Sequence, residues 1–141
     1  MSTPISKFRK CMSKFLETLR GWANRTQLKE LDKFQMKYDM GMKVNPRDSL
    51  QFFVDGIVEF ADHILLGDDA YFIKEDLGVE DEYQNLSVQL KEWWPKFDVE
   101  QQNYIKGQFK LLLMLGAIAT RNEKLRNVIN KYRDVDNPLE Y

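Results

Sequence analysis

The sequence predicts an all-α protein: a single compact bundle of about five to seven helices. Three observations carry that prediction. Apolar residues recur at three- and four-residue spacing along most of the 141 residues, the period that lines one face of a helix. Asparagine, aspartate, proline and glycine fall at the breaks between these stripes, where helices start and stop. No stretch of useful length alternates Val, Ile or Thr with polar residues, so no strand signal competes.

The first stripe is Phe8, Met12, Phe15, Leu19 and Trp22, which predicts a helix over 5–22, weakened near its end by Gly21. Asn24 followed three places later by Gln27 has the form of a capping box and opens a second helix. Its stripe is Leu28, Leu31, Phe34, Tyr38 and Met42. Asn45-Pro46 ends it, because the residue before a proline disfavours helix. The same pair starts a third helix, with Asn45 as cap, Pro46 in the first turn and Asp48 against the positive end of the dipole. A broad apolar face then runs from Leu50 through Phe53, Val54, Ile57, Phe60, Ala61 and Ile64 to Leu65. Gly67 is the expected stop.

Residues 67–85 read less regularly. A short helix can hold Tyr71, Phe72 and Ile73, and Gly78 with Glu80-Asp81-Glu82 suggests a surface loop. A helix resumes over 82–93, with Tyr83, Leu86, Leu90 and Trp93 inward, and Pro95 stops it. Two adjacent helical residues cannot both face one core, so one of Trp93 and Trp94 is expected at a margin. Asp98 and Gln101 form another capping-box pair opening the last long helix. Its predicted buried face is Ile105, Phe109, Leu112, Leu113 and Ile118. The run 111–119 is apolar on nearly all sides, which places this helix at the centre. After a break near Asn122, Leu125, Val128, Ile129 and Tyr132 repeat a helical stripe. The expected organisation is one helical domain over 1–133 and an extended tail over 134–141.

Composition narrows the function. With 43% hydrophobic and 30% charged residues, the chain has an ordinary globular balance. Cys11 is the lone cysteine, so no intrachain disulfide is available. Residues 1–10 are polar and basic with no apolar run after them, so secretion is not expected. The apolar run 111–115 falls far short of the ~20 residues that span a bilayer. The expected location is the host cell cytoplasm or a virion. Charge is segregated: residues 1–47 carry 11 Lys or Arg against 4 Asp or Glu, and residues 48–100 carry 3 against 14. Such fields steer partners to a surface.

Candidates for catalysis are few. His63 is the sole histidine, which excludes a His-rich zinc site and leaves one possible imidazole base. Ser49, Ser87 and Cys11 are conceivable nucleophiles, but none sits in a nucleophile-elbow context. The seven glycines are scattered, without a phosphate-binding loop. The acidic residues of 68–82 match no calcium-loop spacing and read as a solvated surface. No enzyme activity, cofactor or metal is predicted. Lys7, Arg9, Lys10, Lys14 and Arg20 on the first helix could meet phosphate, as could Arg121, Lys124, Arg126, Lys131 and Arg133 on the last. No helix-turn-helix, zinc-finger or RNA-binding pattern frames them.

Lys43-Val44-Asn45-Pro46-Arg47, Phe52-Phe53-Val54, Ile64, Gly67-Asp68-Asp69 and Tyr71-Phe72 together resemble a pattern of small helical proteins of nucleocytoplasmic large DNA viruses. Phe8, Phe15, Leu16 and Leu19, and a late Trp before a Lys-rich apolar helix, fit the same pattern. The resemblance covers about residues 8–115 and implies a viral all-α protein, with no activity or site attached. Residues Trp93-Trp94-Pro95 and the run 111–115 do not map onto it.

The expected function is non-enzymatic macromolecular interaction, as a minor structural or scaffold component of a large DNA virus particle. Its partner would be a protein, basic or capsid-associated. The alternative is a nucleic-acid-associated regulator, for example of viral transcription, using the basic helix faces. The expected partner-binding residues are Asp68, Asp69, Tyr71, Phe72, Glu80, Asp81 and Glu82, with Trp94 as an anchor. Loops on a rigid frame carry function more often than the frame, and negative charge beside aromatics suits a basic partner.

Overall fold

A computed structural model describes residues 3–67 and 90–133, and every described element is helical. The helices are α1 (Pro4–Trp22), α2 (Arg25–Val44), α3 (Pro46–Ile57), α4 (Ala61–Leu66), α5 (Val99–Thr120) and α6 (Glu123–Arg133). Short 3-10 turns occupy Val58–Phe60 and Trp94–Lys96. Residues 90–93 are helical and lead into the second of these.

Each start has a local cause. Thr3 Oγ1 accepts from the Ser6 N–H at 3.1 Å, with Pro4 in the first turn of α1. Asn24 and Gln27 close the expected capping box: each side chain accepts from the other's backbone N–H, at 2.9 and 2.8 Å. Asp98 and Gln101 do the same for α5, at 2.8 and 3.0 Å. The reciprocal bonds satisfy N–H groups that have no partner inside the helix. Asn45 serves two helices. Its N–H donates to Gly41 O at the end of α2, and its Oδ1 accepts from the Asp48 N–H at the start of α3. Gly67 ends α4 at φ +76, the left-handed conformation that glycine adopts without strain.

Among the described residues the core forms one cluster, with α5 at its centre. Leu112, Leu113, Met114, Leu115, Gly116 and Ala117 are all buried, because α1, α3, α4 and α6 all pack against α5. Aromatic rings join the helices edge to face. Phe8 meets Phe53 at 5.1 Å between centroids, Phe15 meets Phe109 at 5.7 Å, and Trp22 meets Tyr104 at 5.4 Å. These separations suit the ring quadrupole. The Tyr104 hydroxyl donates to Thr18 Oγ1 at 3.1 Å, a further link between α1 and α5.

The structure corrects three expectations. The third stripe is broken by the 3-10 turn Val58–Phe60. Gly56 followed by β-branched Ile57 and Val58 weakens the α-helical path there. Ile118 is 41% exposed. At about 100° per residue it lies nearly opposite Ile105 around α5, and the encirclement that buries 112–117 has ended. Trp93 and Trp94 are both buried, 6% and 4% exposed. The α-helix stops at Trp93, and Trp94 opens a 3-10 turn with Pro95. The change of path lets both indoles turn inward, and Trp94 meets Phe97 edge on at 6.4 Å. The expected short helix holding Tyr71, Phe72 and Ile73, the loop beyond it, the start of the helix over 82–93 and the tail 134–141 lie outside the described residues.

Candidate interaction surface

Seven of the eight residues expected to bind a partner lie outside the described residues: Asp68, Asp69, Tyr71, Phe72, Glu80, Asp81 and Glu82. The eighth, Trp94, is buried, so its indole fills the core and is not offered as an exposed anchor. Gln102 Nε2 donates to the Trp94 carbonyl at 2.9 Å and ties this turn to α5.

A different surface stands out on α2. Leu31, Phe34, Tyr38 and Met42 face the core. On the opposite side Met36, Met40 and Val44 are 65%, 63% and 78% exposed. Their four-residue spacing stacks them one turn above another. Single exposed apolar residues are ordinary, but a row along one helix face is a different feature. Lys37 and Lys43 flank the row on its two sides at helical spacing, and Lys29 and Lys33 continue it toward the N-terminus; all four are exposed. Residues 25–47 carry six Lys or Arg against three Asp or Glu.

The three carboxylates lie along the margins of this stripe, Asp32 and Asp39 on the Lys43 side, and each has a partner of its own. Asp32 Oδ1 pairs with Arg20 Nη1 of α1 at 2.6 Å, drawn toward the neighbouring helix. Asp39 Oδ1 accepts from Gln35 Nε2 at 3.0 Å along the helix margin. Glu30 Oε1 lies 3.4 Å from Lys33 Nζ, a solvated pair three residues apart. Exposed pairs of this kind contribute little stability.

A second basic surface lies along α1, where Ser6, Arg9, Lys10, Ser13 and Lys14 line a shallow hollow with Glu17 at its end. Three cations beside two hydroxyls can receive a phosphate group. The basic side chains expected on the last helix fare less uniformly. Lys131 Nζ lies 3.5 Å from Asp62 Oδ1 and joins α6 to α4.

The described candidates for catalysis sit on three different helices, Cys11 on α1, Ser49 on α3 and His63 on α4, and Ser87 lies outside the described residues. Cys11 is half-buried on α1, and its Sγ donates to Gln108 Oε1 of α5 at 3.6 Å. Burial raises its pKa from 9.0 to about 11, against a smaller opposing pull from Lys14. The thiol is therefore protonated at neutral pH, which disfavours nucleophilic chemistry. His63 is exposed on α4. Among the described residues no three His, Cys, Asp or Glu side chains are grouped to hold a metal ion. No helix among them is long and apolar enough to cross a membrane.

Met36, Met40 and Val44 are not among the residues expected from the sequence to bind a partner. The available signal was phase: they share a helix with the stripe Leu31, Phe34, Tyr38 and Met42 but fall on its far side. No family model, curated protein or solved structure matches the chain.

Proposed function

We propose that this chain is a non-enzymatic interaction protein, a small helical scaffold that holds another macromolecule against the outer face of α2. The exposed row of Met36, Met40 and Val44 among lysines supports this reading. Burying a side chain of this type stabilises by about 1.5–3 kcal/mol relative to leaving it wet, so the row can help hold a partner while contributing little to the monomer's own core. The setting we propose, following the sequence resemblance, is the particle of a large DNA virus, as a minor structural component. Two measurements test the reading. Mass spectrometry of purified particles should find the chain, and its absence there sinks the viral setting. Pull-down from the native source should recover a partner that is lost when Met36 and Met40 become Ser. A partner retained at full strength by that variant removes α2 from the interface.

A nucleic-acid-associated regulator is the second reading, favoured by the α1 hollow with Arg9, Lys10 and Lys14. Salt-sensitive DNA or RNA binding that weakens in Lys10→Glu, Lys14→Glu would put this reading first.

A further inference from the structure

We infer that the occupant of the α2 face is an acidic amphipathic helix of a partner protein, an inference that rests on α2 being the docking surface. Shape and charge on α2 select this occupant. Met36, Met40 and Val44 make an apolar ridge about 12 Å long, at ~1.5 Å per residue. A helix laid along it would answer with apolar side chains at three- and four-residue spacing. Lys37 and Lys43 stand on opposite flanks of that ridge, where a coiled-coil-like partner places its flanking charges. Carboxylates at those flanking positions would complete the seam. Methionine suits such a surface, because its unbranched thioether adapts to differently shaped neighbours.

Other occupants fit less well. A second copy of α2 would bring lysine flank against lysine flank, and like charges across a seam are repulsive. A phosphate backbone would use the lysines but gains little from three aliphatic side chains. An anionic membrane would use both. Yet one whole myristoyl chain gives only marginal anchoring, and three side chains already partly covered by their own helix offer less apolar surface.

The test uses the full chain and a fluorescent synthetic helical peptide with a leucine stripe flanked by glutamates. Two control peptides carry the same stripe flanked by lysines, or the same glutamates with the leucines scrambled. The chain should bind the first peptide and neither control in fluorescence anisotropy. Binding should fall about tenfold or more in M36S/M40S and in K29E/K37E/K43E, since a few central residues carry most interface energy. The charge-reversed variant should instead take up the lysine-flanked peptide. All the altered residues are exposed, so thermal melts of both variants should match the parent and separate lost binding from lost fold. Equal binding to the scrambled control, or unchanged affinity in M36S/M40S, overturns the inference. So do three other results: tighter lysine-dependent binding to phosphatidylserine vesicles, tighter lysine-dependent binding to duplex DNA, or self-association in sedimentation that M36S/M40S abolishes. If no acidic peptide binds but a native partner is still lost in M36S/M40S, the partner chemistry is wrong and the docking role of α2 stands.

Discussion

Gly116 on α5 lies against Val54 on α3 so closely that a methyl group added at Gly116 would sit 3.0 Å from Val54 Cγ2 and 3.8 Å from Phe8 Cε2. The missing side chain is what lets the central helix reach α3 and α1 at once. Val54 is fully buried and β-branched, so it has little freedom to swing aside.

Gly116→Ala therefore sets two effects against each other. Replacing a mid-helix glycine gains about 0.8–1.0 kcal/mol of helix propensity. Forcing a methyl into a packed core costs about 1–3 kcal/mol. We expect a net loss of about 1 kcal/mol in urea unfolding. Val54→Ala in the same chain should cost less than it does alone, and strict additivity would show that the two residues do not interact. Gly107 is the control. It is exposed on the same helix with nothing within 4 Å, so Gly107→Ala should stabilise by about 0.5–1 kcal/mol.

Asn45→Ala should lower stability by about 1 kcal/mol, because it removes the acceptor for the Asp48 N–H. Asn45→Ser keeps a capping oxygen and should recover most of the loss. Equal losses for the two variants in chemical denaturation would show that the cap is not what the asparagine contributes.

Arg121 closes α5 in the left-handed region, at φ 56. A side chain there costs about 1–2 kcal/mol, part of which glycine returns as unfolded-chain entropy. Arg121→Gly should raise stability by about 0.5–1 kcal/mol. A lower melting midpoint would mean that the arginine side chain makes contacts outweighing its backbone strain.

Cys11 gives the chain a pH signature. Its pKa rises from 9.0 to about 11 on folding, so the native state holds the thiol proton more tightly than the unfolded state. The resulting stability is complete below pH 9.0 and is lost as pH climbs through about 11. The difference in unfolding free energy between the parent and Cys11→Ser should therefore shrink or reverse over that window. Alkylation by iodoacetamide at pH 8 should be much slower for the folded chain than for the chain in denaturant. Equal rates would show that the thiol is not protected.

The helix starts were legible because capping is local chemistry. Asn24, Asn45 and Asp98 each carry a short acceptor side chain just before an apolar stripe, and each caps the helix it was expected to cap. Gly67 was legible for the same reason. What could not be read depended on packing at a distance. Nothing near Trp94 says that its 3-10 turn will bury it, since the turn matters only because the core is waiting on that side. Arg121 adopts a conformation for which its residue type gives no cue.

The candidate surface was hidden by the logic that revealed the fold. A periodicity argument selects the apolar residues that share a phase and takes them as core. Met36, Met40 and Val44 are out of phase with Phe34 and Tyr38, so they drop out of the stripe, although their exposure is what makes them informative. The acidic and aromatic residues expected to bind a partner were chosen on charge and irregularity, and they fall outside the described residues.

The shared role of Asn45 bears on which changes in chain length this architecture can absorb. A single residue separates α2 from α3, and it is hydrogen-bonded to both. One inserted residue that extended α3 backward would turn the following helix by about 100° relative to the corner. Phe53 and Val54 would then face away from Phe8 and Gly116. Insertions and deletions should be rejected at this corner, so natural length variation in the chain has to be accommodated elsewhere.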